Sequence, residues 1–149
     1  MAKGPVFDAD ILNLTLCAKP IANLADNAGA GPITAISVAL HTADPSATTA
    51  GTQGTNEVSY TGYTRVTTTR STVGFTVTGA NPGTASPVSA ITFPQATSTS
   101  TGTITHFSLG LSSNSTAGKI FYSGTVTPNI NYGQNVTPVL TTGSSFTED

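Results

Sequence analysis

In a chain with few ionisable groups, His41, Asp44, Glu57, Tyr60, Tyr63 and Arg65 fall within one stretch, SVALHTADPSATTAGTQGTNEVSYTGYTRV, residues 37–66. The set holds a base, two carboxylates, two phenols and a guanidinium, types that serve general acid–base catalysis or part of a metal site. The spacing argues against both. His41 and Asp44 supply two ligands, where a structural zinc takes four nitrogen or sulfur donors. His106 joins them only if its strand neighbours that of His41, and no third ligand accompanies the pair. There is no G-x-S-x-G elbow, no P-loop and no dinucleotide fingerprint. A carboxylate pair for glycoside hydrolysis would draw on Asp8, Asp10, Asp26, Asp44, Glu57, Glu148 or Asp149, most of them in termini or caps. No catalytic, cofactor-binding or metal-binding residue is therefore assigned, and the chain reads as a non-enzyme.

The same residues make sense as scaffold. Asp44–Pro45 predicts a turn at a strand exit, since Asp caps turns and Pro fixes the backbone. Glu57 and Arg65 flank YTGY and are expected to pair across a bulge at Gly62. Tyr60 and Tyr63 suit a strand face or an interface rim. His41 alternates with the small residues of its strand and is expected to point away from the main core. Three N-x-[ST] matches, at Asn13, Asn114 and Asn135, carry little weight in a Thr-rich chain. Cys17 is expected to be a small buried hydrophobe.

Composition sets the class. The chain has 149 residues, enough for one domain with a real core. Charged residues are 8% of it, against about 25% in an average globular protein. Thr supplies about a fifth of the chain, and together with Ser, Gly, Ala and Val it makes up more than half. Thr and Val favour pleated, half-buried surface, and weakly charged small-residue patches suit packing against another protein. The net charge of −2, with cations only at Lys3, Lys19, Arg65, Arg70 and Lys119, leaves no basic stripe for nucleic acid. A single cysteine excludes an internal disulfide. No apolar run reaches membrane-spanning length, and MAKGPVFDAD has neither an h-region nor a cleavage pattern. Synthesis in a reducing cytosol, with no membrane and no nucleic-acid partner, is the expectation.

One short helix is predicted within residues 8–19, with Asp8 and Asp10 as caps, Ile11, Leu12 and Leu16 on one face and Pro20 as its stop. Residues 1–32 are read as an amino-terminal arm that reaches a neighbouring subunit, and 33–149 as a β domain. From Ile33 the chain alternates apolar and polar residues between turn-rich separators such as GANPG, SSNSTAG and TPNINYGQ. Seven or eight strands at this spacing predict an all-β antiparallel sandwich, with a jelly roll as the expected topology. The predicted core is Ile36, Val38, Leu40, Val66, Phe75, Val77, Ile91, Phe93, Phe107, Leu109, Leu111, Ile120, Tyr122 and Val139. The Ala35/Ser37/Ala39 face and the Thr67/Thr69 row are expected to meet partners. DPSATTAGTQGTN is long for a compact domain and is read as a contact loop.

Taken in order, LHTADP, NEVSYTGY, ITFPQA, THFSLG and KIFYSGTVTP carry a resemblance. Over residues 33–149 the chain resembles small structural proteins of tailed bacteriophages, a family often labelled tail fibre. The resemblance implies a virion component and brings no catalytic residues with it. In size and type the chain is also similar to jelly-roll capsid cement (decoration) proteins, which bridge neighbouring capsomers. The expected role is capsid cement on the capsid exterior, with the major capsid protein and a second or third copy of the chain as partners. The alternative is a tail-associated, receptor-binding or carbohydrate-binding module.

Overall fold

A computed structural model describes residues 5–20, 33–47, 51–80, 82–111 and 118–148, with backbone alone for residues 5–8 and 148. It divides into two units, the first made of Met1–Ala35, Thr69–Ala90 and Thr141–Asp149, the second of Ile36–Thr68 and Ile91–Leu140.

In the first unit, helix α1 spans Pro5–Cys17. It begins a turn earlier than the predicted caps, so Asp8 and Asp10 lie inside it. Pro5 suits that start, because a first-turn residue needs no N–H partner within the helix. Leu12 and Leu16, four apart, are fully buried, and Ile11 is half-buried. The helix ends before Pro20, with Ala18 at φ 54° and the Lys19 N–H donating to the Asn13 carbonyl at 3.1 Å.

The carbonyls of that last turn find a cation that sequence reading passed over. Arg70 Nε donates to the Thr15 carbonyl at 2.6 Å, Nη2 to that of Leu14, and Nη1 to that of Ile33 at 3.3 Å. A guanidinium here satisfies orphan acceptors and opposes the negative end of the helix dipole. The helix packs against a three-stranded antiparallel sheet ordered β3–β4–β9, formed by Phe75–Thr78, Gly83–Pro87 and Phe146–Glu148. Phe75 and Phe146 meet edge to face with centroids 5.9 Å apart, and Ala85 is buried. Cys17 is buried as expected, its thiol donating to the Phe75 carbonyl at 3.3 Å.

The second unit carries a four-stranded sheet ordered β2–β1–β6–β7, from Val66–Thr69, Ala35–His41, Gly102–Gly110 and Ile120–Tyr132. Strands β1 and β6 run antiparallel with Val38 opposite Leu109, Leu40 opposite Phe107 and His41 opposite His106. Strands β6 and β7 are antiparallel with two register shifts, one between Ile104 and His106 and one between Leu109 and Gly110. Ile91–Thr92 (β5) and Val139–Leu140 (β8) form a separate antiparallel pair. These sheets fit the expected all-β, sandwich-like class with one short helix; they do not assign a jelly-roll order.

Ile36, Val38, Leu40, Phe75, Ile91, Phe93, Phe107 and Leu109 are buried as predicted. Leu111 is 46% exposed, which removes it from the core. Val66, Val77, Ile120, Tyr122 and Val139 are half-buried: β2 and β7 are the edge strands of one sheet, β3 is an edge strand of the other, and β5–β8 is a two-stranded ribbon, so these positions lack a neighbour on one side. Val58, Tyr60, Ile104, Val126 and Leu140 complete the second unit's interior.

Candidate functional site

Strand β1 is buried at every position from Ile36 to His41. Half-buried strands alternate, so burial on both faces means that something covers the small-residue face. The cover is the chain's own loop. Gln53 is fully buried and donates from Nε2 to the Ser37 carbonyl at 3.0 Å. Gln53 N–H bonds the Gly118 carbonyl at 2.9 Å, and Thr52 forms an antiparallel bridge with Lys119. Gly110 makes this fit possible: a Cβ there would stand 2.5 Å from Gln53 Cδ and 2.3 Å from the Lys119 carbonyl oxygen. Within the loop expected to contact a partner, Gln53 thus turns inward, while residues 48–50 lie outside the described residues. The Ala35/Ser37/Ala39 face, expected to be open, is closed at Ser37 and Ala39, whose smallness makes room for Gln53.

His41 is correspondingly not directed away from the core but fully buried. Its Nδ1 lies 2.9 Å from the Thr55 carbonyl oxygen and its Nε2 2.8 Å from Ser108 Oγ. A carbonyl only accepts, so Nδ1 carries the proton and Nε2 accepts from the serine hydroxyl. Burial pushes the imidazole down from 6.5 to about 4. The neutral ring belongs to the folded state, whereas the unfolded ring binds a proton near 6.5. Stability is therefore expected to be full above about pH 6.5 and to fall as the pH drops towards 4, by about 3 kcal/mol from this group. Urea denaturation at pH 7 and pH 4.5 checks it: His41→Gln should flatten the difference, and an unchanged pH slope in that variant would contradict the assignment.

Beyond the histidine, Glu57 binds Arg65 through both carboxylate oxygens, at 2.6 Å to Nε and 2.7 Å to Nη2. The Arg65 side chain is only 4% exposed. The Tyr63 hydroxyl accepts from the Leu40 N–H at 3.0 Å and donates to Glu57 at 2.9 Å, and burial raises its pKa well above the usual phenol value. The predicted ion pair is present, but the feature at Gly62 is a tight turn and not a bulge. The Tyr63 N–H closes on the Tyr60 carbonyl at 3.0 Å, and Gly62 has φ 99°. Asp44 caps its turn as expected, accepting from the Ser46 N–H at 2.8 Å and the Ser46 hydroxyl at 2.7 Å, bonds that hold its carboxyl below the usual range.

The strands of His41 and His106 are indeed neighbours, but His106 Nδ1 engages Thr105 Oγ1 at 2.8 Å. Among the described residues, no three of His, Cys, Asp and Glu gather where a metal could sit. Of the tyrosines a sugar site could use (Tyr60, Tyr63, Tyr122 and Tyr132), three meet other rings within the fold. Tyr60 is buried, meets Tyr63 and Tyr132 at 5.2 Å, and donates its hydroxyl to the Pro94 carbonyl. Tyr63 stacks on Phe93 at 6.3 Å. Sequence reading missed Gln53 and Ser108 because neither belongs to a local motif; their partners are remote in the chain and emerge only from the fold. The opening cluster is therefore engaged in bonds within the fold, with His41 and Tyr60 buried and Asp44, Glu57, Tyr63 and Arg65 half-buried.

No helix among the described residues is long and apolar enough to cross a membrane. A comparison with curated proteins finds no match. A family model described as podophage GP4 fiber I protein gp80 matches residues 15–145. That span takes in α1 from Thr15, most of the first unit, all of the second and the whole polar cluster, and on it the chain belongs to the podophage GP4 fiber I protein family, gp80.

Proposed function

We propose that this protein is a non-enzymatic, fibre-type structural component of the phage tail. Membership of a fibre protein family over residues 15–145 carries the reading. It favours the tail-associated alternative over capsid cement, the role first expected from size and composition. The molecule's chemistry supports a structural part. The serine–histidine pair of Ser108 and His41 is buried. From Ser71 to Thr147 the only charged side chain is Lys119. Surfaces so poor in charge are desolvated without stranding ions, which makes association with other virion proteins, or with further copies of the chain, inexpensive. The Thr67 and Thr69 side chains of edge strand β2 are exposed and remain available for such contacts. Burial of Tyr60 and the stacking of half-buried Tyr63 on Phe93 weigh against a sugar-stacking module. Gold-labelled antibody raised against the chain should decorate the tails of intact virions. Uniform label over the heads would return the cement reading.

A further inference from the structure

Residues 51–57 lie as a strap over the small-residue face of β1, and polar bonds tie the strap down. We propose that this strap is acid-released: protonation of His41 frees residues 51–57 from the β1–β6 sheet while the sheet beneath stays folded.

The strap's sequence, GTQGTNE, carries no aliphatic or aromatic side chain, and Gln53 is its one buried residue. Segments with few buried apolar contacts open locally at a lower cost than global unfolding. A directional chain of hydrogen bonds joins strap and sheet. Gln53 Nε2 donates to the Ser37 carbonyl at 3.0 Å and to Ser108 Oγ at 3.5 Å. The Ser108 hydroxyl donates to His41 Nε2 at 2.8 Å, and His41 Nδ1 donates back to the strap at the Thr55 carbonyl, 2.9 Å away. The chain needs one acceptor on the imidazole, and with Nδ1 protonated only Nε2 can be it.

A proton on Nε2 turns that acceptor into a donor. Two hydrogens then meet between Nε2 and Oγ, and the Ser108 hydroxyl must turn away from the ring. The same proton puts a charge on a fully buried side chain. Neighbouring groups compensate little. Glu57, on the strap, favours the cation, but its carboxylate is held by both prongs of Arg65 and by Tyr63. Arg65, just before β2, and His106, on β6, oppose the cation. Asp44, at the exit of β1, is bound to Ser46. Tyr63 stays neutral throughout the acid range, because burial raises its pKa. Lifting the strap opens the Thr55 side of the ring and lets water solvate the imidazolium, so proton uptake and opening are linked. Opening also uncovers Ser37, Ala39 and Ser108, a small-residue sheet face that is buried at neutral pH.

Amide hydrogen exchange of the full chain tests it, read as protection factors so that the chemical pH dependence of exchange cancels. The Gln53 N–H bonds the Gly118 carbonyl and the Thr42 N–H the Asn56 carbonyl, each at 2.9 Å, so both amides report on the strap. The imidazole sits at about 4 when enclosed and at 6.5 when free, so their protection is expected to fall about twentyfold from pH 7 to pH 5. Amides of the β1–β6 ladder should keep their protection over that range, and His41→Gln should abolish the fall at the strap. Should His41→Gln fail to fold, the comparison of strap with ladder in the wild-type chain decides. Strap protection that does not fall, that falls in step with the ladder, or that falls as steeply in His41→Gln would overturn the proposal.

Discussion

Glu57→Ala is expected to destabilise the protein by about 3 kcal/mol or more, because it strands the Arg65 guanidinium in a site where its side chain is 4% exposed. An ion pair on the surface would lose little on such a change, typically below about 1 kcal/mol. Here the carboxylate takes both prongs of the guanidinium and the Tyr63 hydroxyl, and that hydroxyl in turn holds the Leu40 N–H of a central strand. Removing Glu57 takes this shared carboxylate away from an enclosed guanidinium and from the hydroxyl of half-buried Tyr63. In a chain of this size the loss corresponds to roughly 10 °C in melting temperature. The partners act as a unit, so the Glu57→Ala/Arg65→Ala double variant should lose clearly less than the sum of the two single variants. Additive losses in thermal or urea denaturation would show that the pair is solvated in solution and does not lock the return from the loop.

Phe107→Ala should cost about 3–5 kcal/mol. Phe107 is 3% exposed and lies opposite Gly124, where a Cβ would come within 2.9 Å of the ring. The ring therefore covers backbone on edge strand β7 that has no side chain of its own, a use of aromatics that also fixes register. Truncation opens a cavity and uncovers that backbone together. Val73, 76% exposed, is the control: Val73→Ala should stay within about 0.5 kcal/mol. A loss below about 1 kcal/mol for Phe107→Ala would mean that the β6–β7 pairing does not bury this ring.

What the sequence disclosed, and what it hid, follows from how far apart the interacting groups lie in the chain. The Asp44 turn was legible because its bonds reach only two residues, and the Glu57–Arg65 pair because eight residues separate partners in an otherwise charge-poor stretch. Alternation correctly placed Ile36, Val38 and Leu40 inside. It failed for His41, because period-two reasoning assigns one face to solvent and cannot see a loop returning to cover it. Gln53 meets Ser108 from 55 residues away, and Arg70 meets the Thr15 carbonyl across the same separation. Neither contact leaves a local pattern. The half-burial of Val66 and Ile120 was likewise hidden, since edge and centre strands share one alphabet and differ only in sheet order.

The central claim, a fibre-type part of the tail, is tested most directly by counting. Purified virions analysed by quantitative mass spectrometry give the copy number of this chain relative to the major capsid protein. A tail component is expected at a small fraction of the capsid count. A ratio approaching one copy per capsid subunit would contradict the account and place the chain on the shell.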